Sequence, residues 1–243
     1  MPQKDPPDSD EIGSEDSPVA EAIVSKPRAA ARIRWAEMSF LMMLCAWGAL
    51  AVLAHRYAYF GWDLLLARSI QSISFPGFAQ LMIGVSLLGN GWVPWSLVVV
   101  SGLTLIWAGL RAEGALCLAG TGLGWVVNHL LKLLIGRPRP SDDLVNVAGV
   151  FHFESFPSGH VVFFVEFFGL LFFFAYVLLK RSRLRRISLL VPGFLIGLVG
   201  ASRVYLGAHW PSDVMGAYLA GGVWLMMMIE TYRRIKARGR TSQ

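Results

Sequence analysis

Long apolar runs dominate this chain, and they constrain its fold more than any other feature. Hydrophobic residues make up 55% of its 243 residues, and the mean hydropathy is +0.52. A soluble domain is nearer about 45–50% apolar. Crossing a bilayer takes about 20 consecutive apolar residues, and the backbone inside it must satisfy its own hydrogen bonds. The sequence therefore predicts an all-α, polytopic membrane protein.

Six apolar runs are predicted to be transmembrane helices that form one bundle over residues 35–232. The second run begins at Phe78 or at Trp92, because Gly89-Asn90-Gly91 interrupts it, and it ends near Leu110. Glycine and asparagine are typical of turns, so both starts stay open. The other five predicted spans are Trp35–Ala54, Gly114–Ile135, Val161–Leu179, Ile187–Leu206 and Val214–Tyr232.

One shorter apolar stretch, Trp62–Ile73, follows the first span. It carries Asp63, Arg68 and Gln71, and it is too short to cross the hydrocarbon core. Such a segment is typical of a helix that lies along the membrane surface. We therefore predict a short interfacial helix after the first span.

Both ends of the chain are polar. Residues 1–34 are rich in proline and mixed charges, and they lack the apolar surface that would offset the entropy of ordering. They are predicted to be a disordered cytoplasmic tail, with a regulatory or partner-binding segment as the alternative. Acidic residues precede the first apolar run, which argues against a signal peptide. Residues 233–243 are predicted to be a basic cytoplasmic tail.

The distribution of lysine and arginine predicts the orientation. With the N-terminus inside, basic clusters fall in the inner segments 28–34, 180–186 and 233–240, and few basic residues fall outside. The positive-inside rule then puts both termini in the cytoplasm, and we expect a plasma (inner) membrane. The net charge of +6 is explained by this asymmetry, so no nucleic-acid partner is expected.

Three polar stretches fall at the outer ends of the predicted helices. They are far apart in the sequence, yet the topology puts all of them on the same side of the membrane. We therefore expect them to form one site. The stretches are Lys132–Pro140 after the third span, Pro157–His160 before the fourth, and Ser202–Asp213 between the fifth and the sixth.

The cations and the serine-glycine pair of these stretches suit a phosphate. Lys132, Arg139 and Arg203 can neutralise phosphoryl oxygens, and arginine offers a bidentate fork. Ser158 and Gly159 begin a predicted helix, where free N–H groups and the helix dipole favour an anion. These residues are predicted to bind the phosphate of a substrate.

Two histidines and an aspartate supply the reactive groups. His209 and His160 offer a nucleophile and an acid near neutral pH. Asp213 lies four residues after His209, in the first turn of the sixth span, from where it can accept a hydrogen bond from the imidazole. Such a bond would orient the ring and leave its other nitrogen free to attack.

These stretches resemble the signature motifs of the type-2 phosphatidic acid phosphatase superfamily, which shares its motif set with the vanadium haloperoxidases. The motifs K-x6-R-P, P-S-G-H and S-R-x5-H-x3-D are matched in order and without a substitution over residues 132–213. The predicted spans are also similar to the six-helix core of that family, so the resemblance covers about 35–232.

The resemblance implies hydrolysis without a metal ion or any other cofactor. His209 would attack phosphorus and form a phosphohistidine, while His160 would protonate the leaving oxygen and later activate water. Asp213 would orient His209. The residues implied to bind the phosphate are Lys132, Arg139, Ser158, Gly159 and Arg203.

A membrane lipid phosphate or lipid pyrophosphate is the expected substrate, because the site lies at the membrane edge and the loops are short. Undecaprenyl pyrophosphate, phosphatidic acid and phosphatidylglycerol phosphate are candidates. Two alternatives stay open: a lipid phosphotransferase on the same scaffold, and a membrane protein that binds or transports phosphate without cleaving it. Intact His160, His209 and Asp213 argue against mere binding. The oligomeric state is left open.

Three further residues lie outside the fixed positions of the motifs. Arg137 is interpreted as lying behind the site or on the surface, with substrate contact as the alternative. His129 is interpreted as a packing residue. Glu166 lies among phenylalanines inside the fourth span, where an acid must be paired or protonated. It is expected to make a structural hydrogen bond, or else to contact a cation of the site or a lipid headgroup.

Overall fold

The computed structural model describes the backbone of residues 18–241 and the side chains of residues 34–239. Every regular element in the described range is a helix, which confirms the all-α prediction. The helices are α1 (Pro18–Arg56), α2 (Gly61–Gln71), α3 (Phe78–Leu87), α4 (Val93–Trp107), α5 (Arg111–Ile135), α6 (Gly159–Leu178, with a π-helical turn over Phe164–Phe168), α7 (Arg183–Tyr205) and α8 (Pro211–Thr241).

Five stretches are long and apolar enough to cross a membrane: Arg34–Arg56 of α1, α5, α6, α7, and Pro211–Gly239 of α8. The region predicted as the second span contains two shorter apolar helices, α3 and α4. Their boundary is the Gly89-Asn90-Gly91 stretch, where Gly91 has a φ of 57°. The two starts predicted for this span, Phe78 and Trp92, thus lie at the beginnings of α3 and α4. The short helix predicted after the first span is α2.

The chain divides into two units, residues 1–41 and residues 42–243. In the first unit, α1 begins at Pro18, inside the segment predicted to be a disordered tail, while residues 1–17 lie outside the described residues. The second unit holds the remaining helices. Its last helix continues to Thr241, through the segment predicted to be a basic tail, and residues 242–243 lie outside the described range.

Helix α6 is the most buried of the five spans: 61% of its apolar window is buried, against 11–33% for the others. Its sequence is apolar on every side, as expected for a helix that is surrounded by protein. It packs against α5, α7 and α8. The N-terminus of α6, the C-terminus of α5 and the N-terminus of α8 carry the residues of the three motifs.

A buried polar cluster joins α5 to α8 away from the motifs. Glu113, in the first turn of α5, accepts hydrogen bonds from the Tyr232 hydroxyl at 2.9 Å and from Lys236 Nζ at 2.8 Å. A buried carboxylate needs such partners, because an unpaired charge in an apolar interior is costly. The cluster therefore fixes how α5 and α8 lie along each other.

Candidate active site

The three motifs meet around His209, although up to about 80 residues separate them. Lys132, Arg139, Arg203 and His160 all lie close enough to act electrostatically on this imidazole. Interactions of this size fall off quickly with distance and solvent exposure. The structure therefore brings together the residues that the sequence predicted to form one site.

A tight turn after α7 presents His209, whose side chain is only 2% exposed. Gly207 in this turn has a φ of 63°, and a Cβ at this position would lie 2.1 Å from the carbonyl oxygen of Asn146. Glycine is required on both counts, because other residues rarely adopt this conformation and none would fit the space. These constraints hold the turn in one backbone conformation, which fixes the position of the His209 side chain.

One side of the His209 ring faces a serine and an aspartate. Nδ1 lies 3.4 Å from the Ser155 hydroxyl, and this hydroxyl donates to Asp213 Oδ2 at 2.5 Å. The direct distance from Nδ1 to Asp213 Oδ2 is 3.7 Å. The sequence predicted a direct bond from His209 to Asp213; in the structure Ser155 lies between them. No sequence motif pointed to Ser155.

The other side of the ring faces a cation. Arg139 Nη1 donates to His209 Nε2 at 3.2 Å, so Nε2 carries a lone pair and Nδ1 carries the proton. Burial lowers the pKa of His209 well below its usual value of 6.5, and the nearby guanidinium of Arg139 lowers it further. The imidazole is therefore neutral near pH 7, with Nε2 directed at the cationic side of the site.

The two motif arginines both lie against one aromatic ring. The guanidinium carbons of Arg139 and Arg203 are 5.5 Å and 5.3 Å from the centre of the Phe151 ring. Arg139 also donates to the carbonyl oxygens of Phe153 and Ala208, at 2.8 Å and 2.7 Å. Burial lowers the pKa of Arg139, but a guanidinium stays charged in proteins. Both arginines are thus held as fixed charges.

Lys132 lies at the C-terminal end of α5 and is 7% exposed. Its Nζ donates to the carbonyl oxygens of Glu154 and Ser155, at 2.6 Å and 3.3 Å. Backbone carbonyls do not neutralise the ammonium group, so its charge is still available to an anion. Because it also binds the carbonyl of Ser155, Lys132 ties the end of α5 to the serine beside His209.

Two polar groups of the motifs are buried without a partner. The Ser158 hydroxyl and Arg203 Nε have no hydrogen bond within the part of the chain whose side chains are described. Another nitrogen of Arg203, Nη1, donates to the Ser86 hydroxyl and so fixes the guanidinium. Buried polar atoms in native proteins are nearly always bonded. The Ser158 hydroxyl lies beside Gly159 at the start of α6, where an anion would satisfy it.

His160 meets the break between α3 and α4. Its Nε2 donates to Asn90 Oδ1 at 2.7 Å, and a Cβ on Gly89 would lie 2.4 Å from the imidazole. From the sequence alone, this stretch indicates only a break in an apolar run. In the structure Asn90 is a partner of the second motif histidine, and Gly89 makes room for the ring.

Of the two positions predicted for Arg137, its contacts agree with the one behind the site and exclude the surface. Its side chain is fully buried and forms ion pairs with Asp213 at 2.5 Å and Asp63 at 3.1 Å. It also donates to the Ser212 hydroxyl at 2.7 Å. Asp63 in turn accepts from the backbone N–H of Ser212 at 2.8 Å. The network joins α2, predicted to be interfacial, to the start of α8.

Glu166 and His129 lie beside the motifs without joining them. Glu166 is 2% exposed in the π-helical turn, and no hydrogen bond or ion pair to it is found among residues 34–239. The structural hydrogen bond expected for it is thus not formed in this range. The ring of His129 stacks on Trp125, with centroids 5.8 Å apart.

Among the described residues, no three His, Cys, Asp or Glu side chains converge in a way that would hold a metal ion. The positive charge of the site comes from side chains instead. Three cations and two histidines around one space suit chemistry on an anion.

Comparison with known proteins agrees with this geometry. The family model described as PAP2 superfamily matches residues 113–237, which include all three motifs. The phosphatidylglycerophosphatase B of Bacillus subtilis is 30% identical over 71% of this chain and 84% of its own length. A lipid A 1-phosphatase of Rhizobium etli is 34% identical over 44% of each chain.

A solved structure resembles the whole bundle. It is that of a transmembrane PAP2-type phosphatidylglycerolphosphate phosphatase from Bacillus subtilis, with a TM-score of 0.70 and 25% sequence identity. The match covers 81% of this chain and 96% of that one. The similarity therefore extends well beyond the motifs to the arrangement of the helices.

Proposed function

The chain belongs to the PAP2 superfamily and is a membrane phosphatase, and we propose that it hydrolyses a lipid phosphate or lipid pyrophosphate through a phosphohistidine on His209. The relatives described above carry names of enzymes that act on phosphorylated membrane lipids. The long apolar helices support a substrate that reaches the site from the bilayer. Candidates are phosphatidylglycerol phosphate, phosphatidic acid and undecaprenyl pyrophosphate.

The asymmetry of the His209 ring carries this proposal. Nδ1 faces Ser155 and Asp213, whereas Nε2 faces Arg139. A nucleophile needs a free lone pair directed at the place where the phosphorus will lie, and a partner that takes up the positive charge developing on the ring. Nε2 carries the lone pair and would meet the first condition once the phosphate takes over the hydrogen bond of Arg139. Asp213 acting with Ser155 meets the second.

In the first half-reaction, Nε2 of His209 attacks phosphorus. The new P–N bond forms as the bond from phosphorus to the leaving oxygen breaks. His160 gives a proton to that oxygen, so the lipid leaves as an alcohol, or as a lipid phosphate when the substrate is a pyrophosphate. His160 enters this step as the imidazolium and leaves it as the neutral ring, and the N–H that it would donate is that of Nε2, which contacts Asn90 Oδ1 in the structure.

In the second half-reaction, water replaces the lipid. His160 accepts a proton from the water as its oxygen attacks phosphorus, the P–N bond breaks, and inorganic phosphate leaves with both histidines restored. Lys132, Arg139 and Arg203 hold the phosphoryl oxygens throughout. The unpaired Ser158 hydroxyl and the N–H of Gly159 at the start of α6 support the same role. Preorganised donors of this kind supply most of the stabilisation in phosphoryl transfer.

The site is proposed to lie on the outer face of the inner membrane, with both termini in the cytoplasm. The support is the distribution of basic residues: clusters at 180–186 and 233–240 belong to the end of the bundle opposite the motifs. Lysines and arginines of this kind are retained on the cytoplasmic side.

The function is tested by phosphate release from a panel of lipid phosphates and pyrophosphates in detergent, with a chelator present. We expect wild-type protein to release phosphate and the His209→Ala variant to release none. A rapid quench with labelled substrate should trap a phosphoprotein that is stable in alkali and labile in acid, as expected of a P–N bond. The label should be absent from the His209→Ala variant.

Two outcomes would overturn parts of the proposal. If release requires a divalent metal, or if His209→Ala retains it, then the phosphohistidine route is wrong. If labelled phosphate appears on a second lipid instead of in solution, then the enzyme transfers the phosphoryl group and water is not its acceptor.

A further inference from the structure

A cavity of about 390 Å³ opens beside the proposed phosphate site and runs along α5. Lys132, Gly159 and His160 line the cavity, so it is continuous with the residues that would hold and protonate the substrate. Thr121, eleven residues before Lys132 in the same helix, also lines it. A helix rises about 1.5 Å per residue, so the cavity extends about 16 Å from the phosphate site.

Most of the wall of this cavity is apolar and aromatic, which suits a membrane-embedded space for part of a lipid. Trp95 and Trp125 line it, with their rings in edge contact at 5.2 Å, and so do Val98, Val162 and Phe163. A hydrocarbon chain alone would need only such a wall.

Besides Lys132, His129 and His160, three polar side chains interrupt the apolar wall. Thr121, Asn128 and Glu166 line the cavity and are 3%, 7% and 2% exposed. Thr121 Oγ1 and Asn128 Oδ1 are buried without a hydrogen-bond partner in the described part of the chain. Glu166, too, has no partner there. Buried polar groups without partners are rare in native proteins, and each one calls for an explanation.

The backbone around Glu166 is adapted to hold the carboxyl group in the cavity. A Cβ on Gly124 of α5 would lie 2.3 Å from Glu166 Oε2, so the carboxyl group occupies the space that a larger residue at this position would fill. The π-helical turn Phe164–Phe168 sets the direction of Glu166, and such turns are frequent at functional sites. Thr121, Gly124, Asn128 and Lys132 recur every three or four residues and so share one face of α5.

We infer that Asn128, Glu166 and Thr121 form a row of subsites for hydroxyl groups of the lipid that leaves. Asn128 would bond a hydroxyl of a glycerol or sugar unit next to the phosphate, and Glu166 and Thr121 would bond polar groups farther along the leaving lipid. This inference rests on the proposed function. Because His160 lines the cavity and would protonate the leaving oxygen, the group inside the cavity is the leaving group. Asn128 Oδ1 is one helical turn from Lys132 and needs a donor, which a hydroxyl near the phosphate provides.

The same contacts discriminate against polyprenyl phosphates. An isoprenoid chain has no hydrogen-bonding atoms beyond its phosphate, so it would leave all three polar groups unpaired. Sites built to bond a hydroxyl reject analogues that lack it far more strongly than apolar pockets reject a missing methylene. Of the candidate substrates, those with a hydroxyl-bearing leaving group fit the cavity best.

The test compares matched substrates on the wild-type enzyme. The first is phosphatidylglycerol phosphate, and the second is its analogue without the free hydroxyl on the glycerol that carries the terminal phosphate. A lipid-linked sugar 1-phosphate and a polyprenyl pyrophosphate complete the set. We expect kcat/KM to fall by about tenfold or more when the hydroxyl is removed, with the polyprenyl substrate also low. Comparing the rates with phosphatidylglycerol phosphate and with the sugar 1-phosphate shows whether the enzyme prefers a glycerol hydroxyl or a sugar hydroxyl.

The variants Asn128→Leu, Glu166→Gln and Thr121→Val then assign the effect. Leucine is close to asparagine in size but cannot form the hydrogen bond. Asn128→Leu should therefore lower kcat/KM for phosphatidylglycerol phosphate to the value for its analogue without the hydroxyl. The matched control Thr104→Val, a polar change on an exposed face of α4, should leave both rates unchanged.

Equal rates for the two matched lipids on wild-type enzyme would overturn the inference, and so would variants that slow both lipids equally. That result needs only wild-type protein, so a variant that fails to fold does not block the test. Failure of the proposed function gives a different result, because no lipid of the set would then release phosphate in a His209-dependent way.

Discussion

Arg137 Nη1 donates to Asp213 Oδ1 at 2.5 Å, and both side chains are fully buried. The same guanidinium reaches Asp63 in α2 through its other terminal nitrogen at 3.1 Å. One cation thus pairs with two buried carboxylates from separate helices. Asp213 is also tied to His209 through Ser155, so this ion pair connects the packing of α2 to the orientation of the proposed nucleophile.

We expect Arg137→Ala to destabilise the protein strongly. The substitution leaves two carboxylates buried without their counter-charge, and breaking a buried ion pair in this way costs about 3–5 kcal/mol. Arg137→Lys keeps the charge but cannot reach both carboxylates with a planar fork, so its loss should be intermediate. Thermal unfolding in detergent, followed by intrinsic fluorescence, measures the effect.

Arg233→Ala is the matched control, because Arg233 makes only an exposed pair with Glu230 at 3.6 Å. Surface pairs contribute about 0–1 kcal/mol. If the two variants unfold at the same temperature, then the buried network around Arg137 does not hold α2 against α8.

Ser155→Ala should lower kcat by about tenfold to hundredfold with little change in KM, because the serine would position His209 without touching the substrate. Removing its hydroxyl leaves Asp213 Oδ2 at 3.7 Å from the imidazole, beyond hydrogen-bond distance. Steady-state kinetics with a water-dispersed lipid phosphate give both parameters. Ser141→Ala, an exposed serine in the same connection between α5 and α6, is the control. An unchanged kcat would show that Asp213 acts on His209 directly.

Most residues of the candidate site could be predicted from the sequence, because they lie at the ends of helices. Hydropathy locates those ends to within a few residues, and the charge asymmetry assigns them to one side of the membrane. Lys132, His160 and His209 could therefore be predicted to meet before any distance was known. The all-α bundle followed from the same apolar runs.

The residues that sequence reasoning missed lie where the chain has no periodicity. Ser155 belongs to the connection between α5 and α6, and nothing in its neighbours indicates which way it faces. In the sequence Arg137 looks like an ordinary loop cation, because its partner Asp63 lies in α2, 74 residues earlier. Asn90 lies between two glycines, a pattern that indicates a break between helices. The pattern does not indicate that Asn90 contacts His160. Contacts of this kind depend on tertiary packing, which local pattern does not encode.

The pH dependence of kcat/KM should follow the lowered pKa of His209. Because burial and Arg139 favour the neutral ring, the free enzyme keeps its nucleophile as the pH falls below the usual histidine value of 6.5. The acidic limb attributable to His209 should therefore lie below pH 6.5. The ionisation of the substrate phosphate, measured by phosphorus NMR in the same detergent, must be separated from it. An enzyme limb at or above 6.5 would mean that the imidazole is more solvated than its surroundings indicate.

The same shift affects stability. An imidazole that is buried neutral must take up a proton on unfolding at low pH, so the unfolded state binds more protons there. The contribution of His209 is present above the unfolded pKa of about 6.5 and is lost as the pH falls towards its folded value. Between those two values, His209→Asn should show a shallower fall in melting temperature than wild-type protein. Equal slopes would contradict the lowered pKa.

The proposed orientation predicts which connections an impermeant thiol reagent reaches in intact cells. Val150, 85% exposed in the connection between α5 and α6, would be outside, and Lys180, exposed between α6 and α7, would be inside. In a background with Cys45 and Cys117 replaced by alanine, Val150→Cys should be labelled in spheroplasts. Lys180→Cys should be labelled only after lysis, because the bilayer blocks the reagent. Retained phosphatase activity verifies that each variant is folded. The reverse pattern would put the phosphate site in the cytoplasm, and the basic clusters at 180–186 would then require another explanation.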